Sequence, residues 1–131
     1  MTAVQVVLTA VREALAADPA VGGRLNGVFD GPVKGAALPH AEMGEVLAGD
    51  WGTKDRPGRE LRVAVAVRDA GDSAARVREV AGAIEARIGA LPRMLDGWEV
   101  ASVAPVRCRV AAEGAGRWRA TIEMRVRVLA G

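Results

Sequence analysis

Hydrophobic residues recur along the chain with two different periods, and each change of period predicts a new element. Near the start the spacing is that of one helical face, which predicts a helix over residues 3–17 that ends at Asp18 and Pro19. The same spacing returns from Val77 to Leu91 and predicts a second helix over residues 73–91, with Asp72 or Ser73 as its N-cap. The sequence therefore predicts two amphipathic helices.

Apolar and polar residues alternate with a period of two in the segments between and after these helices. The clearest case is Leu61–Val67, where Leu and Val occupy one face and Arg or Ala the other. A turn at Glu113–Gly116 joins the last two strands as a hairpin. The predicted strands are Leu25–Asp30, Pro39–Leu47, Leu61–Val67, Trp98–Ala111 and Arg117–Leu129.

The order of these elements predicts an α+β fold in a single domain over residues 1–131. We expect a mostly antiparallel sheet of four to five strands with two helices packed on one face. Half of the residues are hydrophobic and 26% are charged, which is enough apolar surface for one compact core. No apolar run reaches the ~18 residues of a membrane span, and the N-terminus lacks the basic start of a secretory signal. We therefore expect synthesis in the cytoplasm and no contact with membranes.

Arginine dominates the sheet face that the helices leave uncovered. The strand phase places seven arginines there with one acid, Glu123, although the net charge of the whole chain is only +2. We call these residues the arginine surface: Arg62, Arg68, Arg107, Arg109, Arg119, Arg125 and Arg127. Like charges on neighbouring strands repel, so such a surface is destabilising unless an anion meets it.

Three roles for the arginine surface are open from the sequence. It is a solvated face, a subunit interface that pairs with acidic residues of a neighbouring copy, or a channel wall that faces a polyanion. Between the last two we favour the subunit interface, because interface arginines form planar, bidentate pairs with carboxylates that fix the orientation of a neighbour.

Catalytic motifs are absent from the sequence. His40 has no partner from a metal-binding or hydrolase motif, and we expect a structural or surface histidine. Cys108 is in phase with Val106 and Val110, so we expect a buried, inert thiol. The acidic pairs, of which Glu42 is one member and Asp69 another, are expected to be solvated charges. The sequence thus predicts no enzyme, no cofactor and no metal site.

The segment Gly49–Gly58 combines glycine, proline and charge and is predicted to be an exposed, mobile loop. Exposed loops often carry binding residues, so this loop is a candidate contact for a partner protein. Its candidate residues are Asp50, Trp51, Lys54, Asp55 and Arg56.

Short sequence motifs resemble a known family over nearly the whole chain, from Val4 to Val128. They are the Asp-Pro break after the first helix, the Ala-Leu-Pro-His of residues 37–40, the segment Ala41–Trp51 with its Gly-Glu pair, and the Gly-Arg-Glu of residues 58–60 before the central strand. In this respect the chain resembles the tail-completion, or tail-terminator, proteins of long-tailed bacteriophages and gene transfer agents.

The resemblance implies a structural role in a virion or gene-transfer-agent particle. Proteins of this kind form a hexameric ring that caps the head-proximal end of the tail tube, stops its growth and joins the head connector. The implied partners are further copies of the chain, the tube protein, the connector, and DNA that passes through the lumen without sequence-specific binding. Two alternatives stay open: a head–tail adaptor of the same kind of particle, and a small ligand-binding α+β domain unrelated to phages.

Overall fold

Two α-helices, six strands and one short 3-10 helix at Gly22–Arg24 make up the protein, in a computed structural model that describes residues 1–131; the α-helices and strands are numbered below. In chain order they are α1 (Ala3–Ala17), β1 (Val28–Phe29), β2 (His40–Asp50), β3 (Gly58–Ala70), α2 (Ala75–Gly89), β4 (Met94–Leu95), β5 (Trp98–Gly114) and β6 (Arg117–Ala130). The predicted α+β class, with helices on one face of the sheet, is confirmed.

The strands form one mixed sheet in the order β1-β2-β3-β6-β5-β4. Six strands replace the predicted four to five, and β1 pairs with β2 in the parallel direction, whereas every other pairing is antiparallel. The missed strand, β4, has only two residues and shows no periodicity that a sequence pattern could reveal.

Both helices begin close to their predicted positions, for different local reasons. At α1 the Thr2 hydroxyl accepts the Gln5 N–H at 3.2 Å, while the Gln5 side chain accepts the Thr2 N–H at 2.9 Å, which forms a capping box. At α2 the N-cap is Ala74, and the Ser73 hydroxyl accepts the Ala75 N–H at 3.1 Å. The prediction of Asp72 or Ser73 as N-cap was therefore wrong by one or two residues, although the Ser73 hydroxyl still accepts one N–H at the start of the helix.

The core lies between the helices and the faces of β3 and β6 that they cover. Val65 and Ile122 are opposite one another at its centre and are fully buried, as the alternation predicted. The buried residues contributed by α1 and α2 include Val7, Val11, Leu15, Val80, Ile84 and Ile88. This packing leaves the other face of the sheet without a covering helix.

Cys108 corrects one prediction about this core. It lies opposite Ile122 on the helix side of the sheet, but on β5, where no further strand or helix covers it, and the thiol is exposed. Partial desolvation, followed by the charge of Glu85, raises the pKa of the Cys108 thiol above its ordinary value. The prediction of a buried thiol is therefore wrong, because the phase of β5 sets the side of the sheet but leaves Cys108 accessible.

Candidate functional site

The arginine surface lies on the sheet face opposite the helices. On β3 and β6 its residues alternate with buried core residues, and the register sets Arg62 against Arg125 and Arg68 against Arg119. Arg107 and Arg109 continue the surface on β5, opposite Glu123 and Thr121. The strand phase from the sequence therefore placed these side chains on the correct face.

The expectation of one acid on this face was wrong. Glu42, Glu60 and Glu113 join Glu123 among the arginines. The prediction counted only the strands that carry the arginines and so left out Glu42 on β2, and it left out Glu60 and Glu113 because they lie beyond the predicted ends of β3 and β5. The surface is consequently a mixed array of charges with an excess of arginine.

Near the loop end of the sheet, Arg127 makes the tightest contacts. Its Nε donates to the Glu60 carboxylate at 2.7 Å, and its guanidinium lies 5.3 Å from the centre of the Trp51 ring. The hydrogen bond from Arg127, and with it the surrounding arginine charges, holds the pKa of Glu60 below its ordinary value. These contacts fix the guanidinium of Arg127 in one position.

Glu123 neutralises two arginines from different strands. Its carboxylate lies 3.5 Å from Arg62 and 3.8 Å from Arg107. The Arg62 and Arg107 side chains are 45% and 76% exposed, so each pair adds little to stability, but together they reduce repulsion across the middle of the sheet.

A more buried group of charges lies towards the other end of the face. Glu42 is only 5% exposed, its carboxylate is 3.7 Å from Arg68, and the same arginine is 3.7 Å from Glu113. Glu113 also lies 3.5 Å from Arg119. The expectation that Glu42 is a solvated charge was therefore wrong, and the reason is this network across β2, β3 and the β5–β6 hairpin.

His40 belongs to the same buried network. Its Nε2 is 3.3 Å from the Glu42 carboxylate, and its ring meets Phe29 edge to face with the ring centres 5.8 Å apart. Nδ1 is buried without a hydrogen-bond partner. These contacts give His40 the structural role that the sequence favoured.

Two arginines of the surface have no carboxylate partner. Arg125 faces Arg62 across the strands, and its buried Nε has no hydrogen-bond partner. Arg109 is exposed and forms no ion pair. The uncompensated positive charge of the surface is therefore concentrated on β5 and β6.

Asp69 was also expected to be a solvated charge, and this was wrong. Its carboxylate is 5% exposed and accepts two hydrogen bonds from Arg76, at 2.7 Å each, and one from the Ala70 N–H at 2.8 Å. The hydrogen bonds from Arg76 hold the pKa of Asp69 below its ordinary value. This pair fastens the end of β3 to the first turn of α2.

The candidate contact loop is shorter than predicted, because Gly49 and Asp50 belong to β2 and Gly58 to β3. Arg56 is engaged within the chain: its Nε and Nη2 donate to the Ala130 carbonyl at 2.9 and 2.7 Å, and its Nη1 donates to Glu99 at 3.0 Å. Asp50, Lys54 and Asp55 are exposed.

The surface has concavities but none that resembles a ligand pocket. One of about 340 Å³ is open and lined by Arg109, Glu113, Arg119 and two small neighbours, whereas ligand sites are mostly enclosed and apolar. No three His, Cys, Asp or Glu side chains are grouped as metal ligands would be. Neither helix is long and apolar enough to cross a membrane.

Comparison with known proteins gives a matching family and similar solved structures. The family model described as "Tail completion protein gp17" matches residues 9–129. A chain of a solved structure titled "Virion of native gene transfer agent (GTA) particle" has the same fold, with a TM-score of 0.80, 22% sequence identity and coverage of 97% of both chains. No curated protein sequence matches the chain.

Proposed function

Because the chain belongs to the tail completion protein gp17 family, whose members are structural proteins of the virion and not enzymes, we propose that it terminates a tail. In this proposal several copies form a ring at the head-proximal end of the tail tube, stop its growth and provide the joint to the head connector. The observation that carries the proposal is the family match, which extends over residues 9–129.

The similarity in fold to the gene-transfer-agent chain supports a role for this protein as a component of an assembled particle, since the two chains share their fold over 97% of their lengths. A ring is supported by the physical character of this subunit. It has one uncovered sheet face and no enclosed polar pocket, so its exposed features are suited to contacts with other chains. Six copies is the number that the family resemblance implies.

The arginine surface has the role of a channel wall in this proposal. The sequence favoured a subunit interface, and one premise was that the repulsion among the arginines has to be offset by acidic groups of a neighbouring copy or by phosphates. That premise is removed, because carboxylates within the same chain lie within 4.0 Å of Arg62, Arg68, Arg107, Arg119 and Arg127. A surface that is only partly positive attracts a phosphate backbone weakly and without sequence preference, which suits DNA that must pass through.

The Trp51–Pro57 loop is the proposed contact with the tube or the connector. Its exposed charges are Asp50 at its base, Lys54 and Asp55. Arg56 supports this role indirectly, because its bonds to Ala130 and Glu99 hold the loop in a defined position.

Deletion of the gene tests the proposal. We expect tails of uncontrolled length, or heads without tails, in electron micrographs of the deletion strain, and normal particles after complementation with the intact gene. Deletion particles with complete tails of normal length that fail only to join heads would instead support a head–tail adaptor. Normal particles in the deletion strain would contradict both roles.

A further inference from the structure

On each side of the sheet, the outermost long strand is covered by a neighbour over only two residues, so most of its outer edge is open. On one side β1 pairs only with Ala41 and Glu42, so the segment Val46–Asp50 of β2 has no outer partner. On the other side β4 pairs only with Trp98 and Glu99, which leaves Arg107–Ala112 of β5 unpaired on its outer side. We call these segments the β2 edge and the β5 edge.

Each edge is a regular strand of matching length. The β2 edge follows the register shift between Met43 and Val46 and then pairs with β3 without interruption. The β5 edge lies between register shifts at Pro105/Arg107 and Ala112/Gly114 and is itself regular. Five or six residues span about 17–20 Å, the usual length of a paired strand. An open, regular edge offers a row of backbone N–H and C=O groups to another strand.

The two edges are also complementary in chemistry. Two acidic residues flank or end the β2 edge: Glu45 directly precedes it and Asp50 is its last residue, and neither forms an ion pair within the chain. The β5 edge carries Arg107 and Arg109. Glu45 and both arginines lie on the arginine side of the sheet, where Glu45 and Arg107 line the same concavity. Exposed large apolar side chains are few in this protein, yet Leu47 is 57% exposed on one edge and Val106 is 38% exposed beside the other.

The strand directions permit the β2 edge of a second copy to pair with the β5 edge of the first. Successive strands from β2 through β3 and β6 to β5 are antiparallel, so β2 and β5 run in opposite directions. A rotation about an axis along the strands preserves strand direction. The β2 edge of a rotated copy would therefore run antiparallel to the β5 edge of the first copy and continue the alternation of the sheet.

We propose that copies of this chain join by pairing the β2 edge of one with the β5 edge of the next, so that their sheets form one continuous sheet. This inference rests on the proposed ring and names the surfaces that build it. Because the two edges are different, the contact is head-to-tail, and such contacts close into a ring when the rotation is suitable. The arginine surfaces of all copies then form one continuous wall.

Cysteine cross-linking tests this pairing, with the native Cys108 as one reactive group. Cys108 lies on the helix side of the β5 edge, and Ala48, opposite Leu61, lies on the helix side of the β2 edge. Adjacent residues on one face of paired strands have Cβ atoms about 4.5–5.5 Å apart. We expect Ala48→Cys, treated with a mild oxidant or a short bis-maleimide, to give a ladder of products larger than dimers, both in purified protein at high concentration and in particles.

Two matched variants control the experiment. Ala48→Cys combined with Cys108→Ser should give no product beyond a dimer, because each chain then has only one reactive edge. Leu47→Cys, with Cys108 retained, should give several-fold less ladder, because Leu47 is opposite Arg62 and lies on the arginine side. As a second measurement, Glu45→Arg should reduce assembly, and Arg109→Glu in the same chain should restore it.

Each outcome bears on either the pairing or the proposed function. A ladder in purified protein supports the pairing even if the deletion strain makes normal tails, a result that would contradict tail termination alone. If the protein controls tail length but Ala48→Cys particles yield no ladder, the pairing alone is overturned. Cross-links from the thiol introduced by Ala48→Cys to a different particle protein would overturn the pairing between copies and indicate that a strand of that protein fills the edge. If neither sample gives a ladder and the protein is not incorporated into particles, both the pairing and tail termination are overturned.

Discussion

Removing the charge of Asp69 should weaken the fold by a predictable amount. In the native protein the buried carboxylate accepts two hydrogen bonds from Arg76 and one from the Ala70 N–H. Asp69→Asn keeps the side chain's shape and one acceptor oxygen, but it removes the negative charge and one acceptor. The substitution therefore tests the charged pair with little change in packing.

The size of the effect follows from these contacts. Hydrogen bonds to charged groups contribute about 1.5–3 kcal/mol, and because Arg76 is 45% exposed we take the lower part of this range, about 2 kcal/mol. That free energy corresponds to a change of about 30-fold in the unfolding equilibrium. For a chain of this length it lowers Tm by about 5–8 °C.

The pH dependence has a defined sign. The folded-state pKa of Asp69 is lowered, so its contribution is fully present above the unfolded pKa of about 3.9 and is lost as the pH falls through the folded pKa. The difference in free energy of unfolding between the native chain and Asp69→Asn should be constant between about pH 5 and 7 and shrink below pH 4.

Urea unfolding followed by tryptophan fluorescence measures both quantities, and Asp72→Asn is the matched control because Asp72 is exposed and unpaired. Asp72→Asn should unfold like the native chain. Equal midpoints for the native chain and Asp69→Asn at pH 7, or a difference that persists unchanged at pH 3, would refute the reasoning.

Three further predictions concern packing and the arginine surface. Gly22→Ala should lower Tm strongly, because the added Cβ would overlap the backbone carbonyl of Ala16, whereas Gly23→Ala, with its nearest atom at 3.7 Å, should be tolerated in the same melting assay. Arg125→Ala should leave the free energy of unfolding unchanged or raise it, because it removes repulsion with Arg62. Arg127→Ala should lower the free energy of unfolding, because it breaks the pair with Glu60. If urea titrations show Arg125→Ala to be the less stable of the two variants, the assignment of paired and unpaired arginines is contradicted. In particles, Arg125→Ala should preserve assembly but alter DNA packaging or ejection, and unchanged DNA transfer would argue against the channel wall.

The sequence predicted the helices, the long strands and the arginine side of the sheet because each has a strong period. Val65 and Arg62 fell on opposite faces as expected, since a period of two leaves no other arrangement. β4 was missed because two residues cannot show a period, and β1 was predicted within Leu25–Asp30 but has only the residues Val28 and Phe29.

The errors about charge have a different cause. Burial of Glu42 and Asp69 depends on partners that are distant in the chain or on another element, Arg68 and Arg76, and no local pattern shows them. Cys108 was misplaced because the phase of a strand gives the side of the sheet but not whether anything covers it. Edges and register shifts are properties of the assembled sheet, and so is the accessibility of that thiol.

Cryo-electron microscopy of the intact particle tests the central claim most directly. The account predicts a ring of copies of this chain at the head-proximal end of the tail tube, with the arginine surface towards the DNA and the β2 edge of each copy beside the β5 edge of the next. Density for this chain at another position in the particle, or as an isolated subunit without neighbours of its own kind, would contradict it.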